Sequence, residues 1–362
     1  MIRVPAEDLM RLGTALFSAL GASEDKARFI AETIVEANLT GHDSHGVIYY
    51  LTYAERVKEG YIDPRAEPMV ERETPTTAVI NGCWGFGQLT AMKAMEVAVE
   101  KAERSHIAAV TAYRCNHVGR VGYYTAWAAR RGFIAMMFLN VGHPIVTVYG
   151  GRGRVLGTNP LSIAIPTGGD PFLLDYATSI VAHGKVKQAL LEGERIPRGW
   201  IRDREGRETD DPAALEAGGW LLPFGGHKGY CLQLVNELLG AALTGSRSGL
   251  DPEEGPPSTN GVFAIAVKPE FFIHPKVFEE RCRMILDGVR RCEAEAGMRI
   301  MIPGEPEWET RRRRLREGIP IPEALRRSLI ALAEELGVDE GLMEALMGKP
   351  KRGLSVGMDE ES

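Results

Sequence analysis

A chain of 362 residues with 44% hydrophobic and 25% charged residues has enough apolar material for two domains, or for one large domain with an added layer. That excludes a small stapled module and a disordered chain. The formal net charge of −6 argues against a general affinity for nucleic acid, which needs a basic face.

Leu9, Leu12, Leu16, Phe17 and Leu20 recur at helical spacing, and after Gly21-Ala22-Ser23 so do Ala27, Ile30, Ala31, Ile34 and Val35, so the chain opens with an αα-hairpin. Ser23 is the expected N-cap, with Glu24 and Asp25 favoured by the helix dipole. Helix resumes through Tyr53 and Val57. From Thr77 strands and helices alternate: strands over 78–82, 107–112, 133–139, 162–166, 172–175 and 261–267, and helices over 91–104 and 124–131. Residues 192–220 read as surface hairpins and loops, and 246–260 as a long loop. Leu232, Leu234, Val235, Leu238 and Leu239 spell a buried helix. Helices return over 278–296, 307–317 and 322–336, where the run Arg311 to Arg314 reads as a solvated face. This is an α/β chain with at least some parallel pairing. Its expected parts are a helical segment over 1–75, a central α/β unit over 76–275, C-terminal helices over 276–347 packing with the first segment, and a polar tail over 348–362.

Five cysteines without a C-x-x-C pair indicate neither a disulfide framework nor a zinc knuckle. The first eight residues lack an apolar signal core, and the most apolar run, 133–141, is too short to span a bilayer. The expectation is a cytoplasmic protein with no membrane and no nucleic-acid partner.

Gly41-His42-Asp43-Ser44-His45-Gly46 places two imidazoles, a carboxylate and a hydroxyl within six residues at a helix end, and histidine can exchange a proton near neutral pH. Asn116-His117-Val118-Gly119-Arg120 follows a buried strand, where α/β proteins place ligand-contacting side chains. Asp175 ends another apolar strand, with Thr178 and Ser179 just beyond; it is either a helix cap or the carboxylate that steadies a histidine. Gly225-Gly226-His227-Lys228-Gly229 opens a helix, and its N–H groups beside a lysine suit a phosphate. His183-Gly184-Lys185 and Gly157-Thr158-Asn159-Pro160 are weaker signals of that kind. No G-x-G-x-x-G follows a strand and no P-loop is present, so a nucleotide site must be built differently. Two chemistries remain open: acid/base work by histidine, or a metal-dependent hydrolase with His42, Asp43 and His45 as ligands.

Taken in order, residues 41–46, 116–122, 157–160, 174–179, 226–230 and Ile302-Pro303-Gly304-Glu305 resemble the type-2 malate/L-lactate dehydrogenases. That group includes sulfolactate, ureidoglycolate and hydroxycarboxylate dehydrogenases. Asp43-Ser44-His45-Gly46, Gly87-Gln88 and His227-Lys228-Gly229-Tyr230 are most similar to the hydroxycarboxylate branch. The resemblance implies a non-Rossmann, sulfolactate dehydrogenase-like fold whose central unit binds NAD or NADP, and a homodimer. It implies hydride transfer between the nicotinamide and C2 of a small 2-hydroxy or 2-oxo acid, or reduction of an imine. His45 would carry the proton beside Ser44, His117 matches the histidine with that role in some relatives, and Asp175 would lie near the nicotinamide. Cofactor contacts are expected at Thr158, Asn159, Thr178, Lys185, His227, Lys228, Gly304 and Glu305. Where many relatives carry an arginine this chain has Tyr49, which cannot form a bidentate ion pair. Tyr49 and Arg120 are therefore the expected substrate contacts: either Arg120 or another base takes the carboxylate, or the substrate differs from malate and lactate.

Overall fold

The computed structural model describes residues 2–252, 256 and 259–347, so the expected polar tail lies outside the described residues. β1 (Ile2–Val4) leads into α1 (Ala6–Ala19) and α2 (Glu24–Leu39), the expected αα-hairpin. Leu9, Leu12, Leu16, Ile30 and Ile34 are buried in one cluster because their spacing puts them on the facing stripes. Ser23 occupies the N-cap, but its hydroxyl makes no capping bond. A short 3-10 turn, Asp43–His45, precedes α3 (Ile48–Lys58).

β2 (Met69–Glu73), β3 (Thr77–Asn81), α4 (Gly87–Ser105), β4 (Ile107–Asn116), α5 (Gly122–Ala129), β5 (Ile134–Val141), β6 (Leu161–Ile165) and β7 (Phe172–Tyr176) follow. Next come α6 (His183–Glu192), a small unit of β8 (Ile201–Arg202), β9 (Glu208–Thr209), α7 (Ala213–Glu216) and β10 (Trp220–Leu221), and then α8 (His227–Glu237), which runs into one π-helical turn at Leu238–Ala242. β11 (Thr259–Val267), α9 (Pro275–Arg290), α10 (Glu305–Glu317), β12 (Ile319–Ile321), α11 (Glu323–Glu335) and α12 (Glu344–Met347) complete the described chain.

The main sheet has the order β2-β3-β4-β11-β5-β6-β7, and only β3 and β4 pair in parallel. β4 and β5 run the same way, as expected for strands joined through a helix. β11 enters between them and is antiparallel to both. The sequence pattern detects the crossover and the strand over 261–267, but not that this later strand fills the gap. At Gly261 a Cβ would lie 1.6 Å from the Gly240 carbonyl oxygen, so the π-helical turn can cross the sheet only over glycine.

β1 pairs antiparallel with β12, and Val4, Ile319, Ile321, Leu329 and Leu332 share the core of the first two helices. Both ends of the described chain thus build one layer. α10 ties that layer to the sheet: the Trp308 indole donates to the Pro171 carbonyl at 3.0 Å, and the Leu173 amide donates to Pro303 at 3.1 Å.

Three sequence expectations need correction. Residues 192–220 do form hairpins but are not all surface: Ile196, Ile201 and Leu215, with Leu221 just beyond, bury themselves with Ile145 and Val146 beside a three-stranded antiparallel sheet. The Arg311–Arg314 run is a solvated face only in part: Arg312 and Arg313 are exposed, but the Arg314 side chain is 11% exposed and ion-paired. Finally, α8 is turned inside out. Gln233, Asn236 and Glu237 are buried, whereas Leu234, Val235 and Leu238 are exposed, because the polar side chains hold the backbone of residues 157, 159 and 249. Among the described residues no helix is long and apolar enough to cross a membrane.

Candidate active site

The 3-10 turn that carries His45 is braced from two sides. Asn38, at the end of α2, donates to Asp43 Oδ1 at 2.6 Å and accepts from the Val47 amide at 2.8 Å. Gly46 is what lets this side chain pass, since a Cβ there would lie 2.1 Å from Asn38 Oδ1. From α10, Arg314 holds both Asp43 oxygens at 2.5 and 2.8 Å, the bidentate geometry that a guanidinium favours. The Ser44 hydroxyl lies 3.1 Å from His45 Nδ1. α6 closes over the turn, and a Cβ at Gly184 would come 2.6 Å from Ser44 Cβ.

His45 belongs to an aromatic stack. Its ring lies 5.7 Å from His117 and 6.0 Å from Tyr49, both near parallel, and Tyr49 stacks on His117 at 4.5 Å and 7°. Behind His117, Tyr53 Oη sits 2.7 Å from Nδ1 and accepts a hydrogen bond from Gln88 Nε2 at 2.8 Å. Near enough to act on His45 is the Arg120–Asp175 pair, with Nε 3.0 Å from Oδ2 and side chains only 3% and 7% exposed. The pair is close but poorly aligned. Among the described residues Arg120 Nε and Nη2 and Asp175 Oδ2 have no hydrogen-bond partner, an arrangement that costs free energy unless something else engages them.

Burial pulls the His45 imidazole down to about 4; repulsion from His42 and Arg120 adds to this, and the Asp175 carboxylate opposes it. His117 is held well below its ordinary range, first by burial and then by His45 and Arg56. Both rings are therefore neutral at neutral pH.

The structure brings His45, Ser44, His117, Tyr49, Arg120 and Asp175 together. The residues expected to touch a cofactor fare differently. His227 and Lys228 are exposed at the start of α8, which has no capping side chain and follows two glycines with φ of 54° and 63°. Lys185 is exposed one residue beyond Gly184, and Thr158 is half-buried. Asn159 and Thr178 are fully buried: Asn159 bonds Gln233, Glu237 and Val141, and Thr178 bonds the carbonyls of residues 158 and 159. Their side chains shape the loop and leave only backbone for a ligand. Gly304 and Glu305 lie at the β7 edge of the sheet. Glu305 is engaged by Arg290 at 2.6 Å and by the Ile302 amide at 2.8 Å. A cavity of about 410 Å³ between α9 and α10 is lined by Arg290, Arg299 and Glu305; of the expected site residues it holds Glu305 alone.

The metal-ligand alternative fails on geometry. Asp43 is committed to Arg314, and His42 points its Nε2 to Glu307 Oε1 at 3.4 Å. Among the described residues no three His, Cys, Asp or Glu side chains converge to hold a metal ion.

Sequence reasoning gives Asn38, Tyr53 and Arg314 no part in this site, and flags Gly184 only within a weak phosphate-binding signal. Tyr53 had a signal, since it lies four residues after Tyr49 and so on the same helix face. Arg314 and Gly184 act on the His45 turn through contacts across long stretches of chain, which no local pattern records.

A family model described as malate/L-lactate dehydrogenase matches residues 4–330. L-sulfolactate dehydrogenase of Methanocaldococcus jannaschii is 36% identical over 340 residues, 92% of this chain and 97% of the relative. Hydroxycarboxylate dehydrogenase B of Escherichia coli is 33% identical over 350 residues, 95% of this chain and 97% of the relative. The crystal structure of malate dehydrogenase from Entamoeba histolytica superposes with a TM-score of 0.89 at 30% identity, covering 93% of this chain and 98% of that one. With this agreement over nearly its whole length in sequence and in fold, the chain belongs to the malate/L-lactate dehydrogenase family and is an oxidoreductase of hydroxy and oxo acids.

Proposed function

We propose that the protein interconverts a small 2-hydroxy acid and its 2-oxo acid with NAD or NADP, with His45 as the proton acceptor and donor. The observation that carries this reading is a neutral, half-buried imidazole beside a buried Arg120–Asp175 pair, of which Arg120 Nε and Nη2 and Asp175 Oδ2 have no hydrogen-bond partner among the described residues. A substrate carboxylate would meet Arg120 Nη2, which presents a buried donor. His45 would take the proton of the C2 hydroxyl in oxidation and return it to the oxygen in reduction. Ser44 holds His45 Nδ1 and leaves Nε2 for that exchange. Asp175 supports the transient imidazolium, as its opposing effect on His45 indicates.

When bound, the nicotinamide accepts hydride from C2 or delivers it there. The residues fit such a group: the uncapped start of α8, with His227 and Lys228, suits a pyrophosphate. Lys185 and Thr158 would face it, while Asn159, Thr178, Gly304 and Glu305 would act through backbone or by shaping the loop. The two sets lie in the central unit and at its β7 edge, which we assign as the cofactor-binding part, with the helical layer as the substrate part. Exposed Leu234, Val235, Leu238 and Leu243, together with Met284, Ile285 and Val289 of α9, leave apolar surface that a monomer rarely presents; we assign it to a homodimer contact.

Purified protein mixed with NADH or NADPH and a panel of 2-oxo acids is expected to consume reduced nicotinamide, read by its near-ultraviolet absorbance. No turnover with either cofactor and any acid sinks the reading.

A further inference from the structure

We propose that Gln88 and Tyr53 are positioning residues that lock His117 as the Nε2–H tautomer, making it a fixed hydrogen-bond donor to the substrate's C2 oxygen and leaving proton transfer to His45. This rests on the dehydrogenase reading above for the identity of the oxygen, but the tautomer itself does not.

Gln88 is the second residue of α4 and is fully buried. The helix start reaches this depth because residue 87 is glycine: a Cβ there would lie 2.1 Å from the Asn116 carbonyl oxygen and 2.4 Å from that of His117. Gln88 Nε2 donates to Tyr53 Oη at 2.8 Å. The Tyr53 hydroxyl is thus an acceptor on one side, and its own proton has two possible targets. His117 Nδ1 is at 2.7 Å and the His117 carbonyl at 3.4 Å, so the proton goes to Nδ1. Burial, and then Tyr49, hold the Tyr53 phenol well above its ordinary range, so it keeps that proton to donate. A neutral imidazole that accepts at Nδ1 carries its hydrogen on Nε2. The near-parallel Tyr49 ring at 4.5 Å keeps His117 from tilting away.

The consequence is a division of labour between adjacent, near-parallel imidazoles 5.7 Å apart. His117 has its acceptor atom occupied and offers an N–H where negative charge grows on the C2 oxygen. Among the described residues the His45 ring nitrogens are engaged by the Ser44 hydroxyl alone, at Nδ1, which leaves Nε2 to gain or lose a proton. Arg56, near His117, further disfavours a cationic ring there.

The test uses the ligand-free protein with isotope-labelled histidine and two-bond nitrogen–proton correlation spectra at neutral pH, the His117 signal being identified by its loss in His117→Gln. The expected pattern has Nε2 protonated and Nδ1 bare. Tyr53→Phe should give a mixture of tautomers and lower kcat by roughly 10- to 100-fold, with KM changed less. Gln88→Glu should reverse the chain: a carboxylate accepts from Tyr53, which then accepts from His117 and draws the proton to Nδ1. An Nδ1–H or doubly protonated His117 in the unaltered protein overturns the proposal, as does an Nε2–H tautomer that persists in a folded Tyr53→Phe. A protein with the expected tautomer but no turnover of any 2-oxo acid would overturn the dehydrogenase reading and leave the positioning chain standing.

Discussion

Arg314 grips Asp43 with two nitrogens, Nη1 2.5 Å from Oδ1 and Nη2 2.8 Å from Oδ2, across 271 residues of sequence. Asp43 is the first residue of the turn that ends in His45, so a helix of the C-terminal layer sets where His45, the proposed proton carrier, stands. Arg314→Met leaves the Asp43 carboxylate without its partner and frees the turn. The Asp43 side chain is 39% exposed, so water screens part of the loss, and the stability cost is about 1–2 kcal/mol rather than that of a fully buried pair. The activity cost is larger, roughly 10- to 100-fold in kcat/KM, because a small displacement of a reacting group is expensive. Arg314→Lys should rescue little, since an ammonium cannot span both oxygens. Denaturant unfolding beside steady-state kinetics separates the two effects, and unaltered kinetics in Arg314→Met would show that the clamp is only structural.

The depressed His45 has consequences of opposite sign for the two reaction directions. In the free protein it is neutral above pH about 4, so kcat/KM for oxidation, which needs a base, should be level from about pH 6 to 8. Reduction needs the protonated ring, so its kcat/KM should fall about tenfold per pH unit over the same range. A reductive rate that is level there would assign the proton to another donor.

The same group links folding to pH. Unfolded chains bind a proton at His45 below its ordinary value of 6.5, whereas the native protein does so only near 4. The native state is therefore favoured above the unfolded value, and that advantage is lost as pH falls from about 6.5 to about 4, at most about 3 kcal/mol for this residue. His117, shifted the same way, adds to the loss. Urea unfolding midpoints should drop across this window, and by less in His45→Gln.

Gly184 is a second long-range contact on the His45 turn. A valine there would bring its Cβ to 2.6 Å from Ser44 Cβ, and either α6 or the His45 turn must move. Overpacking of this kind costs about 1–3 kcal/mol. The Gly184→Val protein should stay folded by circular dichroism and lose most of its kcat. Full activity would mean that α6 yields freely and does not set the position of Ser44.

The chemistry-bearing groups of this site are legible in the sequence for a physical reason. His45, His117 and Asp175 sit where apolar periodicity stops, at a helix end or a strand end, and that is where a polar side chain can face a cleft. Their supports are not legible. Gln88 meets Tyr53 across 35 residues and Arg314 meets Asp43 across 271, and no local pattern records such meetings. In the fold, β3-α4-β4-α5-β5 follows from alternating patterns, but the insertion of β11 between β4 and β5 is decided by tertiary packing. α8 shows a different limit. Periodicity identifies its apolar stripe correctly, yet says nothing of what covers it, and within this chain the stripe faces outward.

That outward stripe gives a test of assembly. Leu238 is 57% exposed and Leu243 55%, in line with Leu234 and Val235 on the side of α8 opposite the buried Gln233, Asn236 and Glu237. The buried polar side chains fix the orientation of the helix, because Asn236 donates to the Asn159 carbonyl at 2.6 Å and Glu237 accepts from Asn159 at 2.7 Å. The helix therefore cannot roll over to hide its leucines. If a second copy covers them, Leu238→Asp places a charge in a desolvated contact and should convert the dimer to monomer in sedimentation velocity. The change should leave folding of the single chain nearly intact, since exposed positions away from caps and cores shift stability by about 0.5 kcal/mol or less. Because α8 also opens with His227 and Lys228, loss of the partner should weaken cofactor binding before it alters the His45 chemistry. A Leu238→Asp protein that sediments as the parent does would mean that the apolar face of α8 is not the dimer contact.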